Sequence, residues 1–184
     1  TLVESENYKI ISVEESLRLL NSLNIVGLDT ETSGLDPWTK ELKSIQLGNY
    51  DNQVVIDTTT IDPTLYKEYL ESDRLFIGWN LKFDLKFLFR HNIVPKQVWD
   101  GYLAEKLMWL GYPPGIHSLS LKSAGENYLN VELDKSVRGK IIYAGLTEDV
   151  IIYSANDIKY LEKIMELQKV ELKKKELDKA IVYE

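Results

Sequence analysis

The sequence predicts an α/β domain in which a β-sheet is sandwiched by helices. Three observations carry that prediction. Strand-like runs crowd the first half of the 184 residues, helical periodicity alternates with them, and the remainder is mainly helical. Apolar residues make up 44% of the chain and aromatic residues 10%, enough to fill one sizeable core. No repeat, low-complexity tract or Ser/Gly-rich linker divides the chain, so one domain is expected.

Each element follows from local chemistry. Ser12 and Glu15 have capping-box spacing, and Val13, Leu17, Leu20 and Leu23 form an apolar stripe, so a helix is expected over 13–23. Residues 24–29 (NIVGLD) are a short apolar run ending in an acid, the composition of a buried strand. The β-rich stretches 42–50 and 53–57 flank Asp51-Asn52 and can pair as a hairpin. Asp62-Pro63, a cap followed by proline, opens a helix over 63–72. A strand at 75–79 (LFIGW), a helix over 80–91 and an extended piece at Val98-Trp99 come next. Helices are then expected over 100–110, over 118–129, and from Thr147 onward with Glu148 and Asp149 in the first turn.

Composition narrows the chemistry. Lys+Arg number 22 against 29 Asp+Glu, a formal charge of −7, which argues against holding nucleic acid by bulk positive charge but leaves room for a local basic track. With no cysteine, disulfides, thiolate metal sites and cysteine nucleophiles are excluded. Only His91 and His117 supply imidazole, so a metal site must be mostly oxygen, favouring Mg²⁺, Mn²⁺ or Ca²⁺. No apolar run approaches the roughly 18 residues of a membrane span, and the acidic opening TLVESENYKI is unlike a signal, so a cytoplasmic protein with no membrane partner is expected. The chain opens on Thr1 and QKVELKKKELDKAIVYE reads as helix to Glu184; residues 1–184 are expected to be one domain cut from a longer polypeptide.

The surplus acids are placed unusually. At 100° per residue, the helix 80–91 (NLKFDLKFLFRH) puts Asp84 and Asn80 inside the apolar arc of Leu81, Phe83, Leu85, Phe87 and Leu88, while Lys82, Lys86 and Arg90 form a separate stripe. The helix from Thr147 puts Tyr153 and Asp157 beside Val150, Leu161 and Ile164. A carboxylate in such an arc is costly unless it is paired or binds a metal, and only Arg18, Arg74, Arg90 and Arg138 could pair by guanidinium. At the end of the first apolar strand, Asp29 and Glu31 project to the same side by period-2 geometry, and a divalent cation would reverse their repulsion. Capping or loop roles would explain any one of these acids. Carboxylates without evident partners on three separate elements point to an all-oxygen metal site.

These residues resemble the three motifs of the DEDDy 3′→5′ exonucleases of the ribonuclease H-like superfamily, which includes proofreading domains of family-A DNA polymerases, ribonuclease D and the Werner-type exonucleases. LDTETSGLD (28–36) matches the first motif with Asp29 and Glu31, NLKFDLKFL (80–88) the second with Asn80 and Asp84, and YSAND (153–157) the third with Tyr153 and Asp157. HSLSLKSAGENYLNVELDKSVR (117–138) looks like the segment leading to the third motif, and the similarity spans about residues 8 to 170. The sister DEDDh group has His five residues before the last Asp, where this chain has Ile152; Tyr153 marks the tyrosine branch. Two departures stand out. Trp79 replaces the His that often precedes the motif-two Asn, and GKIIYAG (139–145) replaces a Ser-Asp-Trp frequent in ribonuclease D relatives, which leaves contacts of Lys135 and Arg138 open.

The resemblance implies a ribonuclease H-like mixed sheet and two divalent cations, Mg²⁺ or Mn²⁺. It implies that Asp29 bridges the ions, that Glu31 and Asp157 complete the nucleophile-side site, and that Asp84 supports the second ion. Tyr153 would orient the attacking water, since a phenol with a reference pKa near about 10 is a poor base at pH 7. Thr30, Thr32, Leu35 and Asn80 become candidates for binding the terminal nucleotide, with Leu35 as a wedge. The expected substrate is the single-stranded 3′ end of DNA, with RNA as the alternative, and the expected partner is a covalently linked polymerase domain. Three readings follow: a polymerase proofreading module, a ribonuclease D-like RNA-trimming enzyme, and a catalytically silent exonuclease fold that only binds. Outside the motifs, the Lys82/Lys86/Arg90 stripe and the Lys173-Lys174-Lys175 run read first as solvated helix faces, and His117 as a helix-start or core hydrogen-bonding residue.

Overall fold

The computed structural model describes residues 1–4, 7–133 and 147–177; Lys135, Arg138 and the run 139–145 lie outside the described residues. Its centre is β3 (Ile25–Thr32), flanked antiparallel by β4 (Leu42–Gly48) and parallel by β6 (Leu75–Gly78). Strand β5 (Gln53–Asp57) pairs antiparallel with β4 across the expected hairpin, and β7 (Gln97–Asp100) runs parallel to β6. Two three-residue strands, β1 (Leu2–Glu4) and β2 (Asn7–Lys9), complete a mixed sheet of order β2-β1-β5-β4-β3-β6-β7. These two were not anticipated, because three residues carry no readable periodicity and β5, which joins β1 to the sheet, is distant in sequence.

Helices cover both faces. On one lie α1 (Val13–Asn21), the short α2 (Lys67–Leu70) entered through a 3₁₀ turn at Pro63–Tyr66, and α3 (Leu81–Arg90); Leu20, Val26, Leu28, Phe76 and Leu88 form the core there. On the other lie α4 (Gly101–Met108), α5 (Leu121–Leu129), α6 (Glu148–Lys159) and α7 (Leu161–Lys174), packed around Ile77, Trp99, Ile158, Ile164 and Met165. Strand alternation assigns the faces: Val26, Leu28 and Thr30 point to the α3 side, and Gly27, Asp29 and Glu31 to the α6 side. Side-chain caps set the starts of several helices. Ser12 accepts from Glu15 N, Asp62 from Thr64 N and Ser120 from Ser123 N.

Several boundaries move. The helix expected over 118–129 begins at Leu121, where Ser120 caps it, and that expected over 63–72 divides into a 3₁₀ turn at Pro63–Tyr66 and the short α2. The helix expected to continue from Thr147 breaks at Tyr160 (φ −104°, ψ 0°) into α6 and α7, and α7 ends at Lys174, with Glu176 at φ 58°; the rest of the expected helix, 178–184, lies outside the described residues. The break has a packing reason. Helix α6 crosses the strands β3, β4 and β5 while α7 turns to pack on α4 and α5, and Tyr160 anchors the corner edge-on against Tyr50 at 5.8 Å.

Two features bring the acids of separate elements toward one end of the sheet. The β3–β6 ladder ends at Gly27↔Ile77, so Asp29, Thr30 and Glu31 extend past the end of β6, where the two helical layers can meet. Helix α6 also lies unusually close to β3: a Cβ on Gly27 would stand 2.9 Å from the Ile158 carbonyl oxygen and 3.1 Å from that of Gly48, both backbone atoms that cannot swing away. Gly27→Ala is therefore expected to cost about 1–3 kcal/mol by overpacking, measured by urea denaturation of the metal-free protein; an unchanged midpoint would show that α6 can move off the sheet without penalty.

Candidate active site

The end of β3 carries the D-x-E acids and α6 brings a third. Oxygen atoms from Asp29, Glu31 and Asp157 all lie within 4.8 Å of one another, and Glu31 and Asp157 are buried. Oxygen donors at this spacing, on the end of a central strand and one turn of a packed helix, suit a hard divalent cation. Tyr153 is buried on α6 one turn before Asp157, and both face a hollow completed by Asn156 and Tyr160.

Asp84 approaches from the other helical layer. It is 3% exposed, and its Oδ1 accepts hydrogen bonds from Thr30 N at 3.0 Å and Thr30 Oγ1 at 2.5 Å. Thr30, which alternation turns away from Asp29 and Glu31, thus ties α3 to the strand carrying the other acids. Burial, opposed by the Thr30 hydrogen bonds and reinforced by the Asp100 charge, pushes the Asp84 carboxyl up to about 7. Asp84 stands apart from the three-carboxylate cluster but lines the same cleft, of about 430 Å³, as Asp29 and Asp157.

Thr30, Leu35, Asn80 and Phe83 also line that cleft. Leu35 is 84% exposed at its rim. Asn80 occupies the N-cap position of α3 in the left-handed region (φ 57°) and makes no capping hydrogen bond with its side chain. Thr32 is placed differently: its hydroxyl donates to Gly34 O at 2.7 Å within the following turn.

Asp100, which sequence reasoning alone missed, supplies the absent cap. Its Oδ1 accepts from Asn80 N at 2.8 Å and Tyr102 N at 3.0 Å, and its Oδ2 from Leu81 N at 2.9 Å. One carboxylate therefore caps both α3 and α4, and holds Asn80 and Asp84 in register with β3. Its visible signal was an acid at a strand end before GYL; the second helix it caps begins about 20 residues upstream, beyond any local pattern. Trp79, the departure from the family pattern, lies over Gly101 and donates its Nε1–H to Leu119 O at 2.9 Å. Its indole joins the α5 approach to the cleft floor.

Behind the cleft, buried Glu105 on α4 binds three partners. Its Oε2 lies 3.0 Å from His117 Nε2, and its Oε1 accepts from the Tyr128 hydroxyl and from Gln168 Nε2 at 3.1 Å. Gln168 also donates to Gly101 O and accepts from Trp99 Nε1. His117, stacked on Trp109, is thus a core hydrogen-bonding residue.

A mixed sheet whose central strand ends in clustered carboxylates, with a further acid from a helix on each face, defines the ribonuclease H-like exonuclease fold. The chain belongs to the 3′-5′ exonuclease family, whose model matches residues 8–173. It is 30% identical over 153 residues to DNA polymerase I of Aquifex aeolicus, a match covering 83% of this chain and 25% of that protein. The chain thus spans about a quarter of that relative's length. Among solved structures it resembles NrnC of Brucella melitensis with bound Mg²⁺ (TM-score 0.72, 24% identity, 88% of this chain and 79% of that one). It also resembles Escherichia coli RNase D, described as an exoribonuclease involved in structured RNA processing (TM-score 0.75, 24% identity, 91% and 46%). Among the described residues no helix is long and apolar enough to cross a membrane.

Asp84 makes metal-free stability depend on pH. Its carboxyl titrates at about 7 when folded against an ordinary 3.8, so between these values the folded state holds the extra proton. This contribution is fully present below pH 4 and is lost as pH rises through 7. Asp84→Asn keeps an oxygen to accept from Thr30 and removes that loss. Without metal, the variant is expected to melt with the wild type below pH 4 and at increasingly higher temperature than it as pH rises to 8; a lower melting temperature at both ends would mark the ionised carboxylate as structural.

Proposed function

We propose that this chain is a divalent-metal-dependent 3′→5′ exonuclease that removes nucleoside 5′-monophosphates from the 3′ end of DNA as the proofreading module of a larger polymerase polypeptide. The convergence of Asp29, Glu31 and Asp157 within 4.8 Å, at the mouth of a cleft also lined by Asp84 and Asn80, carries the reading. The similarity to a DNA polymerase I supports the DNA substrate and the linked polymerase domain.

Bound at these acids, two Mg²⁺ or Mn²⁺ ions would activate a water at neutral pH and stabilise the leaving 3′ oxygen. Asp29, from the central strand, would bridge the ions, Glu31 and Asp157 would complete one site, and Asp84 would support the other from the Thr30 side. Tyr153 would align the attacking water in line with the scissile bond from its place one helical turn before Asp157. Leu35 would wedge against the terminal bases, the Asn80 amide would bind the last nucleotide, and Thr30 would present the strand end to it. Thr32 would shape the turn that carries Leu35.

A ribonuclease D-like enzyme is the second reading, favoured by the shared fold with an exoribonuclease. Digestion of 3′-labelled single-stranded DNA and RNA separates the two. DNA is expected to be shortened to 5′-monophosphates when Mg²⁺ or Mn²⁺ is added, and Asp29→Asn or Asp157→Asn to slow this by about two orders of magnitude or more. Preference for RNA would select the second reading, and no 3′ degradation of either with either metal would leave a silent binding fold.

A further inference from the structure

We propose that the groove along the outer face of α3 is the track for the single strand upstream of the 3′ nucleotide, its bases stacking on Trp38 and Phe89 and its phosphates meeting Lys82 and Lys86. The proposal rests on the exonuclease reading above and extends it beyond the terminal nucleotide. The groove encloses about 690 Å³ and is floored by Leu81, Leu85, Ile93 and Val98. It adjoins the catalytic cleft: Leu35 and Asp36, Asn80 and Leu81, and Tyr102 and Leu103 are sequence neighbours, the first of each pair lining the cleft and the second the groove.

The groove presents aromatic faces beside free positive charge. Trp38 is 69% exposed and Phe89 60%, and both line it together with Lys82 and Lys86. Among the described residues neither lysine has an ion-pair partner. Its two acids are already engaged. The Asp100 carboxylate accepts the three N–H groups of its double cap, and Asp36 accepts from Trp38 N at 3.0 Å and Thr39 Oγ1 at 2.8 Å. Arg90, the third member of the basic stripe, donates to Pro37 O and so fastens the loop bearing Trp38 to α3. The Trp38 loop is therefore held by hydrogen bonds within itself and by Arg90 of α3, while the Trp38 side chain stays largely exposed. Stacking surfaces next to a basic stripe are what a single strand requires of a sequence-tolerant track, whereas a solvated helix face needs no aromatic wall.

The test compares hydrolysis of a dinucleotide and an octanucleotide of DNA by wild type, Trp38→Ala, Phe89→Ala and Lys86→Gln. All three side chains are exposed, so melting temperatures should stay near wild type. The wild type is expected to have a lower KM for the octanucleotide. Each aromatic variant should raise the octanucleotide KM about tenfold relative to the dinucleotide KM, and Lys86→Gln should lower the salt slope of octanucleotide binding by about 0.7. Equal KM ratios in all four proteins would overturn the proposal, as would a wild-type dimer in sedimentation that Trp38→Ala disperses, which would give the groove to a second copy. If the wild type hydrolyses neither substrate, the exonuclease reading falls instead. Octanucleotide binding by fluorescence anisotropy then decides the track separately: weakening in the aromatic variants supports it, and unchanged binding refutes it.

Discussion

Asp29, Glu31 and Asp157 hold carboxylate oxygens within 4.8 Å of one another, and charges of one sign at that range repel. The remainder of the fold works against that repulsion. Helix α6 can bring Asp157 to the end of β3 only because Gly27 leaves room for the Ile158 carbonyl, and the break at Tyr160 frees α6 to lie across β3, β4 and β5 while α7 packs elsewhere. A cation among the three oxygens would turn the electrostatic cost into a gain. The acidic balance of the chain, which at first argues against a nucleic-acid partner, is in part this cluster.

Asp84 shows a second way to keep a carboxylate inside. It is buried in the opposite layer and leans on both the amide and the hydroxyl of Thr30. Its placement depends on α3 starting where it does, and α3 starts where Asp100 caps it. Asp100 sits at the end of β7 and also caps α4, whose Gly101 carbonyl and Glu105 carboxylate are held by Gln168 of α7. Hydrogen bonds at the starts of α3 and α4 therefore fix both helices between the core of one layer and the acid of the other.

Much of this was legible in the sequence where chemistry and periodicity coincide. Asp84 and Asp157 were visible as acids inside apolar arcs, and the alternation of β3 separated Asp29 and Glu31 from Thr30 before any contact was known. The central strands followed from composition, α1 from its cap and stripe, and α3 from its apolar arc. What was hidden was non-local. Strands β1 and β2 are too short to show a pattern and exist by pairing with each other and, through β1, with β5. The double cap at Asp100 joins elements that no sequence window spans together, and the Tyr160 break has neither Gly nor Pro to announce it. The hydrogen bonds that draw Asp84 to Thr30 belong to tertiary packing, which the helical projection of residues 80–91 cannot show.

The central claim is that Asp29, Glu31 and Asp157 together form a cation site made for catalysis. Anomalous diffraction from crystals grown with Mn²⁺ tests it most directly, because the ion reports its own position. The account predicts a manganese peak directly coordinated by oxygens of these three residues, with a second beside Asp84 once a 3′ nucleotide is bound. Manganese held elsewhere, with these carboxylates apart from it, would contradict the account.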